Sequence, residues 1–65
     1  MNRTKKVRFK VTKDIRWDNW GRIVVVFRKG DIVEGTMYSD GSVSAESTIY
    51  PGISDEVDSD SIEIL

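Results

Sequence analysis

β-Branched residues dominate the apolar part of this chain and restrict the folds it can adopt. Valine and isoleucine together number fifteen of the 65 residues, whereas leucine and alanine occur once each, as Leu65 and Ala45. β-Branched side chains pack well on pleated sheets and are among the poorer helix formers. A chain of this length accommodates one domain. The composition therefore predicts a single all-β domain over residues 1–65, with residues 1–5 forming a loose N-terminal tail.

Alternation and turn residues predict five short strands and therefore a small barrel. The strands are predicted at about 6–12, 23–28, 32–38, 43–50 and 62–65. The first alternates strictly, so that Val7, Phe9 and Val11 should face the core. The third and fourth are joined by an Asp-Gly hairpin loop. Residues 13–22 are predicted as a polar connection with two tryptophans, and 54–61 as a polar turn with Val57 buried.

The order of these signals resembles an SH3-like barrel over roughly residues 7–65. Residues 27–33, Phe-Arg-Lys-Gly-Asp-Ile-Val, are similar to the turn that enters the second long strand of that family. Residues 57–62 are similar to its 3₁₀ turn between two core positions. The resemblance implies a five-stranded barrel with a short 3₁₀ turn before the last strand, in which the first and last strands are neighbours. OB-folds share the five-strand plan, so the strand order stays open.

The chain lacks several aromatic residues with which SH3 domains bind proline-rich peptides. Val43 stands where the family has a tryptophan, and Asp58 and Ser61 stand where it has proline and tyrosine. We therefore do not expect proline-peptide recognition. The chain is similar instead to small bacterial and phage-encoded SH3-like proteins, which are a structural category and not a function. The small size, the lack of catalytic residues and this resemblance together motivate the hypothesis of a small phage or prophage accessory protein that engages a host protein.

The chain contains no cysteine and no histidine, and this restricts its chemistry. Disulfides, thiolate and imidazole metal ligands, cysteine nucleophiles and the usual general base near neutral pH are all excluded. The acidic run at 55–60 does not match a calcium loop, because Ser61 stands where the loop needs glycine. The sequence thus predicts a protein that is not an enzyme, with no catalytic residue, no cofactor and no metal site.

Two tryptophans flanked by arginines are the strongest candidate binding residues. Tryptophan and arginine are over-represented among interface hot spots, and here they lie in a predicted loop: Arg16, Trp17, Trp20 and Arg22. The alternative is that one or both indoles cover an open end of the barrel. We expect one tryptophan to be buried and one exposed, with this segment binding an unidentified protein partner.

Nucleic-acid binding is the alternative function, and it depends on how charge is distributed along the chain. All ten basic residues lie within residues 1–29, and nine of the eleven acidic ones lie within 30–65. Basic side chains with aromatic platforms can bind single strands, and the candidates are Lys6, Arg8, Lys10 and Lys13. However, the net charge is −1. In an SH3-like topology, Glu63 or Asp60 can neutralise part of this basic segment across the sheet.

The remaining expectations concern location and assembly. The basic start is not followed by the apolar stretch of a signal peptide, and the longest apolar run, residues 23–27, is too short to span a bilayer. We therefore expect a cytoplasmic protein without membrane contact. It should be a monomer, or a weak homodimer if strand 32–38 or 43–50 leaves an unprotected edge.

Overall fold

Strands form nearly all of the regular structure of this protein. The computed structural model describes residues 3–65. The strands are β1 (Thr4–Val11), β2 (Ile15–Asn19), β3 (Arg22–Phe27), β4 (Ile32–Tyr38), β5 (Val43–Glu46), β6 (Ser54–Val57) and β7 (Ile62–Ile64). A 3₁₀ turn over Ser59–Ser61 leads directly into β7. The predicted all-β class and the predicted turn before the last strand are both confirmed.

The seven strands form two antiparallel sheets. Five of them are ordered β6-β5-β4-β1-β7, and β2 pairs with β3 as a separate hairpin. The larger sheet ends at β6 on one side and at β7 on the other, so hydrogen bonding among residues 3–65 does not close it into a barrel. The strands predicted at 32–38 and 43–50 lie inside this sheet as β4 and β5. Neither is an end strand of this sheet, and the weak homodimer stays a prediction.

The sequence predicts five strands, and the structure has seven because two polar segments also pair. β2 lies within the predicted connection 13–22, where Trp20 and Gly21 form a turn that allows β2 to fold back onto β3. β6 lies within the predicted polar turn 54–61. As an end strand it leaves Ser54, Asp55 and Glu56 exposed while Val57 is buried, so its sequence lacks the usual apolar alternation.

The strand predicted at 43–50 ends at Glu46, because Ser47 ends it. The Ser47 side chain is buried, and its hydroxyl donates to the Val26 carbonyl at 2.7 Å. The same oxygen accepts hydrogen bonds from the backbone N–H groups of Ile49 and Tyr50. Backbone donors that could have continued the strand are thus satisfied within a turn, and this turn is attached to the end of β3.

The core lies between the large sheet and the β2–β3 hairpin. Its buried apolar residues come from six of the seven strands: Phe9, Val11, Ile15, Val26, Phe27, Val33, Val43, Ala45 and Val57. The predicted inward direction of Phe9 and Val11 is confirmed, and Val7 is half-buried against the same cluster. β1 begins at Thr4, two residues before its predicted start. Residues 1 and 2 of the predicted tail lie outside the described residues.

Two aspartates hold the base of the β2–β3 hairpin. Asp14 accepts a hydrogen bond from the Lys29 N–H at 2.8 Å, just before β2 begins. After β3, the Asp31 carboxylate accepts from the Arg28 N–H at 3.1 Å and from the Thr48 hydroxyl at 3.0 Å. The turn predicted at Lys29-Gly30-Asp31 is therefore confirmed. These bonds fix the hairpin at one end, and the Trp20-Gly21 turn lies at the other.

Candidate functional site

The β2–β3 hairpin carries all four candidate protein-binding residues. Its two strands are joined by the two-residue turn Trp20-Gly21, with Asn19 opposite Arg22. Both turn residues have positive φ, 58° for Trp20 and 78° for Gly21, as a type I′ turn requires. The Gly21 N–H donates to the Asp18 carboxylate at 2.9 Å. This turn matches the twist of paired strands, which explains why so short a segment forms a hairpin.

Trp17 attaches the hairpin to the core. Its side chain is half-buried, and its ring lies edge-on to Phe27 with centroids 5.5 Å apart and an interplanar angle of 85°. Phe27 in turn contacts Phe9, with a centroid separation of 6.3 Å. Edge-to-face aromatic pairs contribute roughly 0.5–1.5 kcal/mol beyond the area they bury. Trp17 therefore serves mainly to hold the hairpin in place.

Trp20 has the opposite environment. Its side chain is 99% exposed, and among residues 3–65 it is the only non-glycine residue with a positive φ. A left-handed backbone costs an L-residue about 1–2 kcal/mol, and bulky side chains rarely adopt it. Of the predicted split into one buried and one exposed tryptophan, the exposed one is Trp20, whereas Trp17 is half-buried against Phe27.

The two arginines lie on different faces of the hairpin. Both are exposed. Because successive strand residues point to opposite faces, Arg16 lies on the face opposite to Trp17. Arg22 is paired with Asn19 and shares the face of Trp17. The structure therefore does not gather the four predicted residues on one surface; instead it places Trp20 at the tip with an arginine towards either side.

Ile23 is an exposed apolar residue at the same tip that the sequence does not reveal. It is 70% exposed and lies opposite Asp18, one residue after Arg22. Ile23 is exposed because the hairpin is a separate two-stranded sheet, whereas Val24 and Val25 on the same strand are half-buried. Trp20 and Ile23 are the exposed apolar side chains of the hairpin tip. We refer to Trp20, Arg22 and Ile23 as the tip cluster; Arg16 lies further along the hairpin, opposite Val25.

The alternative nucleic-acid residues lie mostly on the outer face of β1. Lys6, Arg8 and Lys10 alternate along this strand and are exposed, whereas Lys13 follows the strand in a bend. Acidic residues of both neighbouring strands flank this row. Arg8 Nη2 lies 3.7 Å from Glu34 Oε1 on β4, and Lys10 lies opposite Glu63 on β7. Two acidic residues can therefore neutralise this basic row across the sheet. Glu63 lies opposite Lys10 in the strand pairing, and Glu34 contacts Arg8.

The acidic residues near the end of the chain serve the local backbone. Asp58 precedes the 3₁₀ turn, and its side chain accepts a hydrogen bond from the Asp60 N–H at 3.1 Å. The Ser61 hydroxyl donates to the other Asp58 oxygen at 3.4 Å. Within residues 3–65, no group of three or more side chains of the metal-ligating types lies close enough together to hold an ion.

The comparisons with other proteins assign no family to this chain. No known protein family, curated protein or solved structure matches it. In the part of the chain that the structure describes, no helix has the length and apolar character needed to cross a membrane. The functional argument therefore depends on the geometry of the chain itself, in particular on the tip cluster.

Proposed function

We propose that this protein is a non-enzymatic protein-binding module with an SH3-like fold, which binds its partner through the tip cluster. The observation that carries the proposal is Trp20, whose indole is fully exposed on a backbone of positive φ. Conformations of this kind are uncommon for bulky residues and are often found at functional sites. A residue that disfavours its own turn and contacts no core side chain fits a role in binding better than a role in folding.

Several features of the large sheet support the SH3-like fold. β1 and β7 are neighbours, and the 3₁₀ turn stands directly before β7. The turn connects two core positions, since Val57 is buried and Ile62 packs against the core cluster. Val43 is buried at the position where the family has an exposed binding tryptophan. This last feature agrees with a module that has the fold without the proline-peptide groove.

The free energy available from covering Trp20 exceeds the cost of its backbone. A tryptophan buries roughly 150–250 Å² when it is enclosed. At about 25 cal/mol per Å² the gross gain is roughly 4–6 kcal/mol, from which the cost of association is subtracted. The left-handed conformation costs the fold about 1–2 kcal/mol. Ile23, beside the turn, adds apolar area to the same contact. Trp20 is therefore well suited to be the central hot spot of an interface.

The charges around the tip cluster define the kind of partner. Arg16 and Arg22 point towards opposite sides of the hairpin, and neither forms an ion pair with a carboxylate within residues 3–65. Their guanidinium groups can bind carboxylates in bidentate fashion at the rim of an interface. The partner we expect is a protein with an apolar pocket for the indole and acidic residues at its rim.

Affinity capture with matched variants tests this proposal. The protein, its Trp20→Ala variant and its Tyr50→Ala variant are immobilised and exposed to a lysate of the cells in which the protein occurs. Tyr50 is an exposed aromatic residue outside the hairpin and serves as the control. We expect one partner to be retained by the wild type and by Tyr50→Ala and to be lost from Trp20→Ala. Equal retention by all three proteins would contradict the proposal.

Nucleic-acid binding through Lys6, Arg8, Lys10 and Lys13 is the second candidate function. Nucleic-acid binding is favoured because Lys6, Arg8 and Lys10 share one face of β1. It is opposed by the negative charges of Glu34 and Glu63 on the neighbouring strands. It predicts that oligonucleotides quench tryptophan fluorescence with a steep dependence on salt. A flat titration at low salt would eliminate this candidate. The cytoplasmic location and the phage or prophage origin stay predictions.

A further inference from the structure

The direction of the Trp20 indole depends on the backbone of its turn. The side chain is 99% exposed, so packing against the rest of residues 3–65 does not hold it in place. Its direction follows instead from the backbone dihedral angles of Trp20 and from the orientation of the Trp20–Gly21 peptide. A residue that fixes this peptide therefore also fixes the direction in which the indole leaves the hairpin.

Asp18 is the residue whose side chain bonds this peptide. Its Oδ1 atom accepts a hydrogen bond from the Gly21 N–H at 2.9 Å. The β2–β3 ladder does not use this N–H, because the residues that flank a two-residue turn, here Asn19 and Arg22, bond to each other. The Asp18 carboxylate thus ties the centre of the turn to β2.

This hydrogen bond is specific to the left-handed form of the turn. Trp20 and Gly21 have φ values of 58° and 78°, and such a backbone is disfavoured for an L-residue such as tryptophan. Rotation about either bond next to the Trp20–Gly21 peptide moves the Gly21 N–H away from the Asp18 carboxylate. The bond therefore favours the one conformation of Trp20 that the tryptophan itself does not favour.

A second aspartate of the hairpin forms a similar bond in a different environment. Asp14 accepts the Lys29 N–H at 2.8 Å at the base of the hairpin, next to Ile15 and other buried core residues. Asp18 forms its bond at the tip, where residues 18–23 include no buried side chain. The bond at the base supports the attachment of the hairpin to the core. The bond at the tip orders only the residues that carry and flank the exposed indole.

We propose that Asp18 is a positioning residue for the tip cluster, because its carboxylate holds the Trp20–Gly21 peptide so that the indole is presented in one direction. This inference rests on the proposed function, in which Trp20 enters an apolar pocket of a partner protein. A binding element that is ordered before contact loses less freedom on association. Asp18 therefore raises the affinity for the partner through Trp20, without a contact of its own.

The first test measures the turn in the free protein and needs no partner. Hydrogen exchange of the Gly21 amide is compared by NMR in Asp18→Asn and Asp18→Ala. Both variants lose the same charge, but asparagine keeps an oxygen that can accept the bond. We expect exchange about two- to tenfold faster in Asp18→Ala than in Asp18→Asn, with a lower order parameter for the Trp20 amide. Asp14→Ala should leave Gly21 exchange at the wild-type rate. Equal Gly21 exchange in the two Asp18 variants would overturn the proposal.

The second test measures binding of the partner that wild type captures. We expect Asp18→Asn to bind it nearly as tightly as wild type and Asp18→Ala about two- to tenfold more weakly. Asp14→Ala should lower the unfolding free energy more than Asp18→Ala does, yet bind the partner more tightly. If Trp20→Ala loses the partner while the two Asp18 variants bind it equally, the positioning role is overturned and the proposed function stands. If Trp20→Ala retains the partner, the proposed function is overturned and the positioning role with it.

Discussion

Two hairpin turns in this protein meet a similar geometric requirement with different residues. In the loop between β4 and β5, Gly41 has a positive φ of 89°. The Asp40 carboxylate accepts hydrogen bonds from the Ser42 N–H and the Ser42 hydroxyl. The turn between β2 and β3 places Trp20 at positive φ and exposes its indole fully. The first turn uses residues that favour its conformation, whereas the second includes one that disfavours it. The difference indicates which hairpin is shaped by stability and which by an external contact.

The comparison of the two turns assumes that Trp20 does not stabilise the fold. Trp17, which packs on Phe27, is the reference for a tryptophan that does stabilise it. Trp17→Ala removes the edge-on contact with Phe27 and leaves a gap beside the core. We expect a loss of about 2–4 kcal/mol of unfolding free energy, a large part of the total for a domain of this size. Urea unfolding followed by circular dichroism measures it. Trp20→Ala should change the stability little; a comparable loss there would show that Trp20 packs in the fold.

Gly41→Ala measures what a positive φ costs in the β4–β5 loop. A Cβ at this position would meet nothing within 4 Å, so its cost comes from the backbone alone. We expect a destabilisation of about 1–2 kcal/mol, measured by urea unfolding. Gly41→Asn is the control, because asparagine tolerates positive φ and should cost less. If Gly41→Ala were neutral, positive φ would carry little cost in this protein and Trp20 would lose its significance.

Ser42→Ala tests the smallest contribution to the β4–β5 turn. The Ser42 hydroxyl, at 2.6 Å, and the Ser42 N–H hold the pKa of the Asp40 carboxyl below its usual value of 3.8. A carboxyl whose pKa is lower in the folded than in the unfolded state stabilises the fold at pH values above its unfolded-state pKa. This contribution is lost as the pH falls through the folded-state pKa. Removing the hydroxyl should raise the pKa of Asp40 towards 3.8, as NMR titration would show. Ser39→Ala in the same loop should leave it unchanged.

Some of the fold could be predicted from single residues. The alternation around Phe9 determines the inward face of β1, because strand side chains point alternately to the two faces. The Asp40-Gly41 pair predicts its hairpin loop, since these residues favour that geometry. Val57 is predicted as the buried residue of a polar segment, whereas the 3₁₀ turn before β7 is what the resemblance implies. In each of these cases the local preference of the residue agrees with its role in the fold.

The rest could not be predicted because local preference and role disagree. β6 carries Asp55 and Glu56 on an end strand, where exposure removes the need for apolar residues. The Trp20-Gly21 turn escapes prediction because tryptophan has no preference for positive φ. The exposure of Ile23 depends on the hairpin being a separate sheet, which no neighbouring residue reveals.

The central claim is that Trp20 is retained for binding at a cost to stability, and Trp20→Asn tests it most directly. Asparagine followed by glycine favours the type I′ turn, so urea unfolding should show a gain of about 0.5–1 kcal/mol. The same variant should lose the captured partner that wild type and Tyr50→Ala retain. A variant that is less stable than wild type, or that retains the partner at full strength, would contradict the account.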